Sequence, residues 1–118
     1  MYIEKLPKEN GLEKKILDIS ENNSHNFIEV SATGDLIADV ETYDIWMKAF
    51  QEHYNKLMNQ DADYTKRDGI RQRGMQIPKE NPKICFEVDY SHQCLRFWIL
   101  QKDKDVRDIV YTFIERLQ

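Results

Sequence analysis

The segment from Pro82 to Gln118 leaves this chain few choices of fold, because it reads as strand, turn, strand and helix in a single consistent register. Ile84, Phe86 and Val88 alternate with Cys85, Glu87 and Asp89, the two-residue period of a half-buried strand. After Tyr90-Ser91-His92-Gln93 the alternation resumes, with Leu95, Phe97 and Ile99 in one set and Cys94, Arg96 and Trp98 in the other. A tight turn at Ser91-His92 sets Phe86 opposite Phe97, Val88 opposite Leu95 and Ile84 opposite Ile99. All six apolar residues then share one face, and a slip of one residue destroys the arrangement. The same register opposes Glu87 to Arg96, an exposed cross-strand pair; replacing Arg96 by Ala is expected to cost under about 1 kcal/mol. Farther on, Val106, Ile109, Val110, Phe113, Ile114 and Leu117 recur at helical spacing and form one apolar stripe. Strand face and helix stripe cover each other.

A chain of 118 residues suits one domain over its whole length, 1–118, and is long enough to bury a core without staples. With 41% hydrophobic and 32% charged residues it is globular and strongly solvated rather than disordered. A net charge of −4 argues against nucleic acid or an anionic membrane as the partner of the whole surface, and suits a basic protein partner. In the hairpin register Cys85 faces Trp98 and Cys94 faces Asp89. At ~3.4 Å per residue the two sulfurs lie roughly 13 Å apart, too far to bridge. Reduced thiols point to an intracellular setting. Met1 to Lys5 lack the apolar core of a signal peptide, and no apolar run reaches membrane-spanning length. The expected location is the cytoplasm.

Upstream, Asn10 followed by Glu13 resembles a capping pair, which opens a helix to about Glu21 with Leu12, Ile16, Leu17 and Ile19 on its apolar face. The polar run Glu21 to Asn26 breaks it. Phe27 to Ala32 reads as a strand, Thr33-Gly34-Asp35 as a turn and Leu36 to Val40 as the returning strand. From Glu41 the pattern is helical for about twenty residues, with Tyr43, Trp46, Met47, Phe50, Tyr54, Leu57 and Met58 at three- and four-residue steps. The stretch at about 60–82 has no clear period and reads as a long irregular basic loop, which a short helix around Ala62 to Arg73 would shorten. Phe27-Ile28-Glu29-Val30 is echoed by Cys85-Phe86-Glu87-Val88. The expected fold class is therefore α+β: two strand–strand–helix units forming a mainly antiparallel four-stranded sheet, in the order α-β-β-α-β-β-α.

Catalytic and cofactor signatures are scarce. Four scattered glycines form neither G-x-x-x-x-G-K-[ST] nor G-x-G-x-x-G, so no phosphate cradle or nucleotide cofactor is expected. Asp61-Ala62-Asp63 opens like a calcium loop, but Lys66 stands where the loop glycine belongs and no glutamate closes it. His25, His53 and His92 lack a second His or Cys at helical ligand spacing, so no metal site is expected. His92, Cys94 and Asp89 hold the groups of a nucleophilic triad, although a turn histidine and an apolar strand cysteine explain them equally and no oxyanion hole is evident. No enzyme is expected.

Three features bear on binding. Lys66, Arg67, Arg71 and Arg73 stand against Asp68 alone, a local excess of +3 that would clamp phosphate or nucleic acid if it gathered on one face. Asp35, Asp39, Glu41 and Asp44 come with no basic residue among them, at a turn and a helix start. Capping accounts for two or three of them, and docking of a basic protein accounts for all four. Trp98 points away from the Phe86–Phe97 face, so either another element covers it or it is an interface aromatic.

By its order of helices and strands, its size and its acidity, the chain resembles the small secretion chaperones. It shares those traits with many small bacterial immunity proteins and phage-encoded inhibitors. The resemblance implies a non-enzymatic partner that neutralises or chaperones another protein. The leading expectation is accordingly an intracellular protein-binding module that docks on a basic site through Asp35, Asp39, Glu41, Asp44 and Trp98. The alternatives are a nucleic-acid or phosphorylated-ligand binder using Lys66, Arg67, Arg71 and Arg73, and a secretion-chaperone-like protein.

Overall fold

The computed structural model describes residues 16–22, 26–32, 40–69 and 72–117. The C-terminal unit has the register expected of it. Strands β5 (Ile84–Asp89) and β6 (Cys94–Ile99) pair antiparallel with Ile84 opposite Ile99, Phe86 opposite Phe97 and Val88 opposite Leu95. The turn between them closes with Gln93 in the left-handed region (φ 50°) and its N–H on the Tyr90 carbonyl. Helix α2 (Lys104–Leu117) buries Val106, Ile109, Val110, Phe113, Ile114 and Leu117, the stripe expected. Asp103 caps it by accepting a hydrogen bond from the Asp105 N–H at 2.9 Å.

The long aromatic helix is also present, as α1 (Val40–Met58). Tyr43, Trp46, Met47, Phe50 and Tyr54 are buried, but the stripe outruns its cover: Met58 is half-buried and Leu57 stays 42% exposed. The helix ends at Asn59 in the left-handed region (φ 52°), and the Gln60 N–H returns to the Asn55 carbonyl at 3.0 Å.

Both helices pack on one face of the sheet. Phe50 of α1 and Phe113 of α2 meet each other (5.0 Å between ring centroids) and both reach the Phe86–Phe97 stack, so four rings from four elements fix the layer spacing. His53 ties the helices together. Its Nε2–H donates to the Ile109 carbonyl at 2.9 Å, and Nδ1 accepts from the Arg116 guanidinium at 2.8 Å. Burial, first of all, and then the nearby Arg116 and Lys56 charges lower its pKa to about 4. It is a satisfied core imidazole rather than a ligand.

The sheet departs from expectation. It is antiparallel and has six strands, not four, in the order β1-β2-β6-β5-β4-β3. Residues 16–22, expected to end a helix, form β1 (Ile16–Asn22), paired with β2 (Phe27–Ala32). A bulge between Ile16 and Asp18 explains the misreading. The extra residue, Leu17, breaks the strict alternation and leaves Ile16, Leu17 and Ile19 at spacings that mimic a helix. The stretch expected as an irregular loop holds β3 (Thr65–Asp68) and β4 (Gln72–Ile77), with no helix at Ala62 to Arg73 among the described residues. All four β3 residues are exposed, and β4 turns only Met75 and Ile77 inward before Arg73 takes the next inward position, so neither strand shows an extended apolar alternation. Short charged edge strands hide from hydrophobic periodicity.

Val40, expected to close a returning strand, opens α1; residues 33–39, with the expected turn and the rest of that strand, lie outside the described residues. The described order is β-β-α-β-β-β-β-α rather than α-β-β-α-β-β-α. The return strand that the internal echo asks for after β2 lies mostly in residues 33–39, outside the described residues. The described order departs from the one on which the likeness to secretion chaperones rested. No helix among the described residues is long and apolar enough to cross a membrane.

Candidate functional site

The period of two that buries one face of the sheet assembles the other from every intervening residue. Neither described helix lies on that second face. Strand registers align its side chains in three rows. One runs Phe27, Trp98, Cys85, Gln76, Thr65; the next Ser20, Glu29, Arg96, Glu87, Gly74, Arg67; the third Ser31, Cys94, Asp89, Gln72.

The first row is aromatic at its centre. Trp98, expected to turn away from the Phe86–Phe97 face, does so, and its ring packs on Phe27 at 4.4 Å between centroids. Both rings remain half-buried. Sequence reasoning missed Phe27 because only the β2–β6 pairing brings it beside Trp98; its parity relative to Ile28 and Val30 was the available signal.

The second row alternates in charge: Glu29, Arg96, Glu87, then Arg67 beyond Gly74. Arg96 was expected to pair with Glu87 as an exposed, dispensable partner. The pair is present, with Arg96 opposite Glu87 and its Nη1 3.8 Å from that carboxylate, but Arg96 is not exposed: its Nε donates to Glu29 at 2.9 Å and its Nη1 to Asp89 at 2.6 Å. The reason is geometric and electrostatic. A buried carboxylate has the greater need of a charged donor, and β2 supplies a second carboxylate that a hairpin considered alone lacks.

Asp89 is fully buried on this face. It accepts hydrogen bonds from Gln72 Nε2 (3.0 Å), Ser91 Oγ (2.8 Å), the His92 N–H (3.1 Å), His92 Nδ1 (2.9 Å) and Arg96. Burial works against its charge, but the bonds from Gln72, Arg96, Ser91 and His92 outweigh it and hold the carboxyl well below the usual range. Arg96 is likewise held cationic: burial opposes its charge, and the bonds to Asp89 and Glu29 more than offset that.

The Asp89, His92 and Cys94 groups thus gather at one end of the hairpin, though not as a nucleophilic triad is built. The Cys94 thiol points to Glu29 Oε2 at 3.9 Å, and burial pushes its pKa up to about 11. A nucleophilic cysteine needs the opposite shift. Cys85 and Cys94 are both free and buried, and burial raises Cys85 as well.

Gly74 interrupts the charged row and opens a cleft of about 320 Å³ between Glu87 and Arg67, lined also by Gly69, Gln72 and Cys85. A side chain at Gly74 would meet the Phe86 carbonyl oxygen at 3.2 Å.

The charge clusters singled out in the sequence partly cancel each other. Lys66 Nζ lies 3.3 Å from Asp44 and 3.7 Å from Asp68; Arg73 lies 3.5 Å from Asp44 and 3.8 Å from Asp68, its guanidinium over the Tyr43 ring. Lys66, Asp68 and Arg73 belong to the helix-covered side, at its β3 margin, whereas Arg67 belongs to the other face. The described basic residues do not converge: Lys66 and Arg73 are engaged and Arg67 faces away from them; Arg71 lies outside the described residues. Of the acidic set, Asp35 and Asp39 lie outside the described residues, as does the Glu41 side chain, and Asp44 is engaged by Lys66 and Arg73. Among the described residues no group of three or more His, Cys, Asp or Glu side chains could hold a metal ion. No protein-family model, curated protein or solved structure matches the chain.

Proposed function

We propose that this chain is a non-enzymatic, cytoplasmic protein-binding module whose open sheet face docks a partner carrying a basic site and masks it. The observation that carries this reading is the half-buried Phe27–Trp98 pair, which keeps part of its surface open beside Glu29 and Glu87 on a face no described helix covers. Paired aromatic rings supply contact area with little rotamer entropy to lose, and carboxylates beside them favour a partner's lysines or arginines while rejecting acidic surfaces. The net charge of −4 adds steering in the same sense. Free, buried, protonated thiols suit a reducing compartment and a face that binds without reacting.

The test is affinity capture from native lysate with the wild-type chain, with Trp98→Ala, and with Glu29→Lys/Glu87→Lys, each with and without nuclease. A protein that survives nuclease and is lost with both variants supports the reading. Nucleic acid that co-purifies and is lost on changing Lys66, Arg67, Arg71 and Arg73 to Gln would replace it with the phosphate-binding alternative. Of the basic residues on the described part of the open face, Arg67 stands beside the cleft and Arg96 is spent on carboxylates, which is why that alternative ranks second.

A further inference from the structure

A second binding surface lies on the helix side of the molecule. At the end of the apolar stripe of α1, Leu57 stays exposed and Met58 half-buried, and together they form one wall of a groove of about 400 Å³. The other wall is the stripe Asp105, Asp108, Ile109, Thr112 of α2. The groove thus has an apolar floor, and both charged residues among the six that line it are acidic.

The two carboxylates differ in what the fold asks of them. Asp105 stands in the first turn of α2, where the helix dipole favours an acid. Asp108 lies beyond that turn, and neither side chain is paired with a cation among the described residues. Beside them Leu57 is 42% exposed, although it continues the α1 stripe whose earlier members are buried.

We infer that this groove seats an amphipathic, basic helix of a partner protein, with an apolar side chain against Leu57 and Ile109 and flanking lysines or arginines on Asp105 and Asp108. Helix-in-groove recognition asks for these two elements, an apolar trough and a rim of charge opposite to that of the ligand. The site is independent of the open sheet face, since the helices lie on the other side of the sheet. A chain using both surfaces bridges two elements of a partner, or two partners.

The probe is a short fluorescent peptide of leucine and lysine, with leucines at three- and four-residue spacing, followed by anisotropy. Binding should weaken about tenfold or more, ~1.4 kcal/mol, in Leu57→Ser and again in Asp105→Asn/Asp108→Asn, and stay unchanged in Trp98→Ala. Amide shifts should map to Leu57, Met58 and Ile109. Both variants alter exposed positions, and circular dichroism verifies their fold. Equal binding by wild type and Leu57→Ser overturns the inference. So does equal binding of a serine–lysine peptide, which would mean net charge alone, or loss of binding in Trp98→Ala, which would place the peptide on the sheet. Peptide binding that appears only after removal of residues 1–15 would assign the groove to the chain's own N-terminus, and also overturns it.

Discussion

The two faces of the sheet are built from alternate residues of the same strands, and they obey different rules. On the helix-covered face Ile28, Val30, Ile84, Phe86, Val88, Leu95 and Phe97 are sealed by two helices, and the described ion pairs of that face stand at the β3 margin. On the open face Asp89 is as fully buried as those core residues, yet no described helix lies over it. Its neighbours do the covering: Gln72, Ser91, His92 and Arg96 close around it. Burial therefore has two origins here. One is apolar and layered, interchangeable among hydrophobes of similar volume; the other is polar and local, and depends on every donor being present.

That contrast predicts large but different sensitivities. Phe97→Ala removes a ring that touches Phe50, Phe86 and Phe113 and should cost about 3–5 kcal/mol in a denaturant melt. Arg96→Ala, on the open face, should cost about 3 kcal/mol, because it strands a buried carboxylate. Arg96→Lys should recover only part, since one ammonium cannot meet Glu29 and Asp89 as the guanidinium fork does. A loss under about 1 kcal/mol for Arg96→Ala would return it to the status of an exposed cross-strand partner and erase the distinction between the faces.

The layered part was legible in the sequence and the local part was not. Period two in Ile84 to Ile99 and period three to four in α1 and α2 fixed pairing, parity and stripe, because each depended on a hydrophobic pattern with one consistent solution. The same method missed β3, whose residues all face solvent, and misread β1, whose bulge disrupts the period. The parity of Trp98 was readable, whereas its partner Phe27 and the carboxylate Glu29 arrive only through the β2–β6 pairing, between strands far apart in the chain. Leu57 looked like core because its spacing is right; it stays exposed because α2 sets Asp105, Asp108 and Thr112 beside it, which the spacing within α1 does not show.

Acid titration should separate the two kinds of burial. His53, in the helix seam, has its pKa lowered from 6.5 to about 4, so the unfolded chain binds the proton more readily. Its contribution is complete above about pH 6.5 and is lost as pH falls to about 4, roughly 3 kcal/mol in all. Asp89, also lowered, contributes above the ordinary carboxylate range and loses its share only below about pH 4. His53→Gln keeps a donor for the Ile109 carbonyl and should flatten the stability profile between pH 6.5 and 4 while leaving the steep loss below it. Unchanged slope in the upper window would mean that the imidazole is solvated in the native state.

The smallest effect belongs to Trp98, and it tests the open face most directly. Phe97 and Trp98 are adjacent in sequence and point to opposite sides of one strand. Trp98 keeps part of its surface in water and has Phe27 as its aromatic partner, so Trp98→Ala should cost about 2 kcal/mol, partial burial and one aromatic pair together, below the cost of Phe97→Ala. Indole fluorescence gives a second reading: Trp46 is sealed and Trp98 is not, so acrylamide should quench one fraction readily and the other poorly, and Trp98→Ala should remove the quenchable fraction. Should Trp98→Ala instead cost as much as Phe97→Ala, with emission in the wild type uniformly protected, the second face of the sheet is already covered in the free protein. Residues 1–15 would then be the first segment to delete, and a return of quenching in that shortened chain would identify them as the cover and remove the face from the reach of any partner.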